Sequence, residues 1–188
     1  MKRLLLIALA LVIAGVAVAE DEFGLWRMVD GEYTNMLPVD EIPGPFTLYV
    51  TLHDGTSFSV GGYEVGMDLP AEMFVLEVDF LGGTNFGGND NHLVGYPIPK
   101  FVMPDEPLVL SVMSCLSSAP PAVPTFIRYH GSTPNSIPGH DGPVYADGAQ
   151  PDILIACGYI TGSQDVFLFG GQVATEAHSL SDVKSLFE

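Results

Sequence analysis

The chain has 188 residues, six of them basic and 23 acidic, for a formal net charge of −17 at neutral pH. That balance excludes nucleic-acid binding, because phosphate contacts need a basic face, and it argues equally against adhesion to anionic lipid. The length suits one domain, and the 47% of hydrophobic residues, spread along the chain, exclude wholesale disorder.

Residues 1–19 open with Lys2 and Arg3, continue as an apolar run over 4–18 and end in Ala17-Val18-Ala19. That order is expected to be a secretory signal peptide, cleaved before Glu20. The run is short for a transmembrane helix, and no Cys follows it to carry a lipid anchor. The expected location is therefore secreted or periplasmic, in a bacterium, with no stable membrane insertion after cleavage. Cleavage would leave Arg27, Lys100, Arg128 and Lys184 against all 23 acidic residues, a net charge of −19. Self-repulsion of that size keeps a protein soluble; surface carboxylates also suit salty water or calcium.

Strand signals dominate the rest. Over residues 46–52, Phe46, Leu48, Val50 and Leu52 alternate with Thr47, Tyr49 and Thr51, which predicts one buried and one wet face. His53-Asp54-Gly55 then reads as a turn, since Asp and Gly tolerate positive φ. The next strand begins at 58–60 and resumes at 63–69. Its apolar phase slips from even to odd across Gly61-Gly62, as a β-bulge would require, and Pro70 ends it. A helix over 71–78 competes with a turn followed by a strand at 74–80; the turn and strand are the reading adopted. There Phe74, Leu76, Val78 and Phe80 are expected to share a face.

Residues 82–91 read as a Gly/Asn-rich loop and 108–116 as a strand buried on both sides for part of its length. Residues 119–124 read as a stiff proline connector, 125–129 as a short strand, and 133–143 as a loop. Residues 144–146 are expected to form a short edge strand, and 153–160 with 166–169 a final hairpin across Thr161-Gly162-Ser163. In the tail, Ser179 or Ser181 could cap a short helix whose one face carries Leu180, Val183 and Phe187.

About eight or nine strands without a normal-length helix predict an all-β sandwich or barrel over residues 20–170, with 171–188 as a tail holding a short helix. From Pro45 to Leu116 the layout resembles cohesin-like and other immunoglobulin-like extracellular modules. The features that carry the likeness are the alternating strand 46–52, the bulged strand 58–69, the proline-marked crossing to 74–80, the long loop and the apolar strand 108–115. The tail is similar to the C-terminal ends of secreted bacterial proteins. The resemblance implies a binding or scaffolding sandwich, with an extracellular protein or glycan as partner.

Cys115 and Cys157, an even pair in an exported chain, are candidates for one disulfide. Closing its loop would contribute about 4 kcal/mol by chain entropy; the alternative is two buried thiols in apolar strands. No CxxC is present.

Catalytic signals are sparse. There is no G-x-S-x-G elbow; His130-Gly131-Ser132 and His140-Asp141 are the nearest ingredients of a hydrolase. His53, His92, His130, His140 and His178 show no metal-binding spacing. Asn89 and Asp90, and Asp147 with Asp152, offer oxygens to calcium without matching its loop motif. Gly82-Gly83 and Gly87-Gly88 have no lysine to make a phosphate loop. Exposed aromatics could stack on sugars: Tyr49 stands on the wet face of its strand, and Trp26 and Tyr33 lie near the mature start. A lone Trp more often anchors a core. The functional expectation is a secreted, non-catalytic binding or scaffolding module without a cofactor. The alternatives are a carbohydrate-binding module and a hydrolase around 130–141.

Overall fold

The computed structural model describes residues 21–104 and 106–171. The signal peptide expected at 1–19 and the helix expected within 179–187 lie outside them. The described chain is all-β, in two sheets facing each other across one core. Its strands are β1 (Glu22–Val29), β2 (Glu32–Thr34), β3 (Met36–Pro38), β4 (Gly44–His53), β5 (Ser59–Asp68), β6 (Met73–Asp79), β7 (Thr84–Asn85), β8 (Asn91–Phe101), β9 (Leu108–Ser117), β10 (Thr125–His130), β11 (Val144–Asp147), β12 (Leu154–Ala156), β13 (Gly158–Tyr159) and β14 (Asp165–Gly171). A 3-10 turn, Val39–Glu41, lies between β3 and β4. Among the described residues no helix is long and apolar enough to cross a membrane.

The first sheet runs β13-β1-β4-β9-β6, with β2 on β1. The second runs β12-β11-β5-β10-β14-β3, with β8 along the other edge of β5 and β7 on β8. Fourteen strands exceed the eight or nine expected: β2, β3 and β7 are only two or three residues long, the strand expected at 153–160 is divided into β12 and β13, and β1 and β8 are additional.

The alternation read in residues 46–52 holds in part: Leu48, Val50 and Leu52 are buried and Tyr49 looks outward from β4, but Thr51, expected on the wet face, is fully buried. Asp54 takes a positive φ of 51°, and the turn carries the chain from the first sheet to the second. The phase slip at Gly61-Gly62 is a bulge. Val60 pairs with Lys100 of β8 and Gly62 with Gly95, so residues 96–99 loop out opposite Gly61. After the slip Tyr63, Val65 and Met67 are buried.

Inward residues of the first sheet (Phe23, Leu25, Leu48, Val50, Leu52, Leu110, Met113) meet those of the second (Tyr63, Val65, Ile127, Tyr129, Phe167, Phe169). Buried tyrosines bolt the sheets together: the Tyr129 hydroxyl donates to Gly24 O at 3.1 Å and Tyr96 to Leu110 O at 2.6 Å. Such bonds satisfy groups that burial would otherwise leave costly. His92 is fully buried on the same side. Its Nε2 donates to Asn89 O at 3.1 Å, and its Nδ1 accepts from the Tyr63 hydroxyl at 3.1 Å.

Several expectations are corrected. β11 is not an edge strand; it lies between β5 and β12. The final hairpin does not form. β12 pairs with β11, β13 crosses to pair in parallel with β1 in the other sheet, and β14 pairs with β10 and β3. β6 has a bulge between Val75 and Glu77, which throws Phe74 and Leu76 outward and separates them from Val78 and Phe80.

The disulfide is also absent: Cys115 and Cys157 are free, buried thiols. Cys115 pairs with Phe46 at one end of β4, whereas Cys157 adjoins Gly158, whose partner Glu22 lies beside His53 at the other end. Seven strand residues separate those levels, roughly 23 Å at about 3.3 Å per residue, against the 4–7 Å between Cα atoms that a disulfide needs. Burial pushes the Cys115 thiol up to about 12 and raises that of Cys157 further.

Candidate aromatic binding face

The outer face of the first sheet gathers the aromatic residues that the sequence offered one at a time. Phe23 and Leu25 turn inward on β1, so Gly24, Trp26 and Met28 turn outward. Asp30 and Gly31 both have positive φ, 51° and 89°, and join β1 to β2 as a two-residue hairpin turn in which Val29 faces Glu32. That register sets Tyr33 opposite Met28. Further along β1, Trp26 pairs with Tyr49 of β4.

The rings of Trp26 and Tyr33 stand 6.3 Å apart, and Tyr33 meets Tyr49 edge to face at 6.2 Å. Both separations are in the favourable range for aromatic pairs. The row continues across the sheet as Val112 of β9 and Asp79 of β6. Trp26 is thus part of an outer platform and not of the core, contrary to the commoner fate of a lone tryptophan.

The indole is fixed in place. It lies over Gly24, where any Cβ would collide with its Nε1. Nε1 donates to Thr51 Oγ1 at 3.0 Å and to His53 Nε2 at 3.2 Å. An indole N–H can only donate, so His53 Nε2 must be unprotonated, and the Thr51 hydroxyl 2.9 Å away can donate to it as well. Burial lowers the His53 pKa and the nearby Asp54 carboxylate works against that shift, so the imidazole is neutral at ordinary pH.

Beyond His53 the outer face opens into a cleft of about 700 Å³ at the end of the sandwich, walled by His53 to Phe58 on one side and by Val102, Met103, Pro104, Glu106 and Pro107 on the other. A second, smaller hollow of about 280 Å³ lies on the outer face of the second sheet, over Gly62 and Gly95, beside Phe86 and Leu154.

The remaining candidates fall elsewhere. Ser132 Oγ lies 3.1 Å from Glu64 Oε2 and 2.9 Å from Pro134 O, so its partners are a carboxylate and a carbonyl and not a histidine. His130 Nδ1 is 2.7 Å from Gly131 O, and His140 Nε2 is 3.2 Å from Pro143 O. Asp141 Oδ1 accepts from Gly131 N at 3.3 Å. The Glu64 carboxylate also takes Ser136 N and Oγ, pinning the 131–137 loop to β5.

Asn89 and Asp90 sit on an exposed loop by Met67, far from Asp147, which pairs with Val60. Asp147 Oδ2 accepts from the Ser57 hydroxyl at 2.6 Å, and its Oδ1 accepts from the amides of Ala149 and Gln150. Those bonds, the one from Ser57 foremost, hold its carboxyl below the usual range. Asp152 is exposed in the turn that follows. Among the described residues no three His, Cys, Asp or Glu side chains gather to hold a metal.

Sequence reasoning found Trp26, Tyr33 and Tyr49 but not the residues that position them. Asp30-Gly31 between two short strands is a hairpin signal that would have found β2. Thr51 and His53, at two-residue spacing after Tyr49, follow from the same wet face. No protein-family model matches this chain, and neither a curated protein nor a solved structure is significantly similar to it.

Proposed function

We propose that this is a secreted, non-catalytic binding module of cohesin-like sandwich architecture whose outer aromatic face holds polysaccharide. The observation that carries the reading is the cluster of Trp26, Tyr33 and Tyr49, brought from three strands onto one partly exposed surface, with the Trp26 indole locked there by Gly24, Thr51 and His53. A flat ring face suits the apolar face of a pyranose. Rings fixed by neighbouring hydrogen bonds lose little entropy on binding. The work is done by side chains of this chain alone, with neither a cofactor nor calcium in the contact. The high acidity keeps a secreted protein dispersed while the platform stays apolar.

Trp26 is the only tryptophan, so its fluorescence reports the platform directly. Titration with soluble cello-, xylo- and chito-oligosaccharides is expected to shift its emission saturably. Tyr33→Ala and Tyr49→Ala should each weaken binding about tenfold, the effect of one lost stacking contact. No emission change and no retention on the matching insoluble polysaccharides would reject the reading.

A further inference from the structure

The aromatic face and the end cleft share a wall. His53 ends β4 with its ring 5.7 Å from that of Trp26, and the same residue lines the cleft. We infer that the two form one continuous track: a glycan chain lying on Tyr33, Tyr49 and Trp26 runs past His53 and seats its next units in the cleft. The inference rests on the polysaccharide reading above and adds a second subsite, with a direction and a charge preference.

The cleft is built before any ligand arrives. Residues 56–57 in its lining are tied by three residues from two other segments, Asp21 and strand β11. The Asp21 carboxylate accepts from Thr56 N and, at 2.9 Å, from the Thr56 hydroxyl. Ser57 N donates to the Tyr145 hydroxyl at 3.2 Å, and Ser57 Oγ to Asp147. Asp21 is itself 6% exposed, and its own backbone oxygen accepts from Gly158. Ties of this kind leave a ligand little ordering to cause.

The walls divide into two chemistries. Phe58 is 76% exposed, and its ring meets that of Phe101 edge to face at 5.3 Å. With Val102, Met103 and Pro104 it offers an apolar surface to a ligand in the cleft. Asp54 and Glu106 supply carboxylates, good acceptors for sugar hydroxyls or for an amino group. Among the described residues neither Lys nor Arg lines the cleft. A uronate or sulfated sugar would therefore bring a second negative charge against Asp54 and Glu106 with nothing to neutralise it, at a Coulombic cost. The glycan that fits is free of carboxylate and sulfate.

The test is calorimetric titration of the full chain with cello-, xylo- and chito-oligosaccharides of two to six units, and with oligogalacturonate of matching length. The readout is the ratio of six-unit to three-unit affinity. The expected ratio is well above the statistical gain, with oligogalacturonate not binding. Phe58→Ala, an exposed position, should collapse the ratio about tenfold, and Glu106→Gln should lower it without altering the fold. Tyr33→Ala should lower both affinities and keep the ratio. A ratio untouched by both cleft variants, or tight binding of oligogalacturonate, overturns the inference while leaving the aromatic platform standing. A wild-type chain that binds none of these sugars at any length removes the polysaccharide reading and the inference together.

Discussion

His92 gives the stability of this sandwich a calculable dependence on pH. The ring is fully buried, edge-on to Phe80 at 5.0 Å and to Tyr63 at 5.9 Å, with both nitrogens engaged. Burial lowers its pKa to about 4, outweighing the opposing bond to Asn89 and the charge of Asp90. An unfolded histidine titrates near 6.5. As the pH falls below 6.5 the unfolded chain gains a proton at this residue that the folded chain refuses, so stability is full above 6.5 and is lost downward until about 4, where both states are protonated.

Each unit of difference is about 1.4 kcal/mol. Between pH 7.5 and 4.5 His92 therefore costs the folded state roughly 2–3 kcal/mol. His92→Gln keeps a polar side chain between Tyr63 and Asn89 but cannot titrate. Urea unfolding of both proteins at the two pH values isolates the contribution, because the carboxylates are common to both. The variant should be less stable at pH 7.5, yet its loss on acidification should be smaller than the wild type's by about 2–3 kcal/mol. Equal losses in the two proteins would refute the assignment.

Three further outcomes follow from the same structure. Gly24→Ala should push the indole off Thr51 and His53, red-shifting Trp26 emission and weakening oligosaccharide binding several-fold although no aromatic ring is removed; an unchanged spectrum would mean the ring does not rest on Gly24. Because His53 Nε2 must accept from Trp26, platform affinity should fall as the pH drops through the depressed His53 pKa, and His53→Gln should flatten that profile in fluorescence titrations. Reductant should leave the melting temperature unchanged, and a thiol reagent should titrate two sulfhydryls only after unfolding; a mass lower by two hydrogens would contradict the free thiols.

The parts of the fold legible in the sequence are those where one strand face is apolar and the other is not. β4 is the clearest case, and the slip at Gly61-Gly62 was readable because glycine marks the place where the alternation changes phase. β1 was silent because both of its faces are apolar, Phe23 and Leu25 inward and Trp26 and Met28 outward. β8 was hidden by Pro97 and Pro99, which the structure accommodates where its ladder with β5 is interrupted. Periodicity says which face a residue takes but not which strand lies beside it. The final hairpin was therefore misassigned, and the aromatic site was visible only as separate residues. The pairing of Trp26 with Tyr49 and the turn at Asp30-Gly31 turn three scattered rings into a surface.

The kink in β6 reaches beyond the strand itself. β6 closes the first sheet on its outer margin, seven residues long, with no proline and with Phe74 and Leu76 exposed. A straight margin of that composition would recruit further chains and grow into fibrils. The extra residue between Val75 and Glu77 breaks the row of amides that such growth copies, and Glu77 and Asp79 set like charges where a second molecule would align. A module of the proposed kind, which has to stay dispersed at the surface of an insoluble polymer, would thus carry its safeguard against self-association in one bulge.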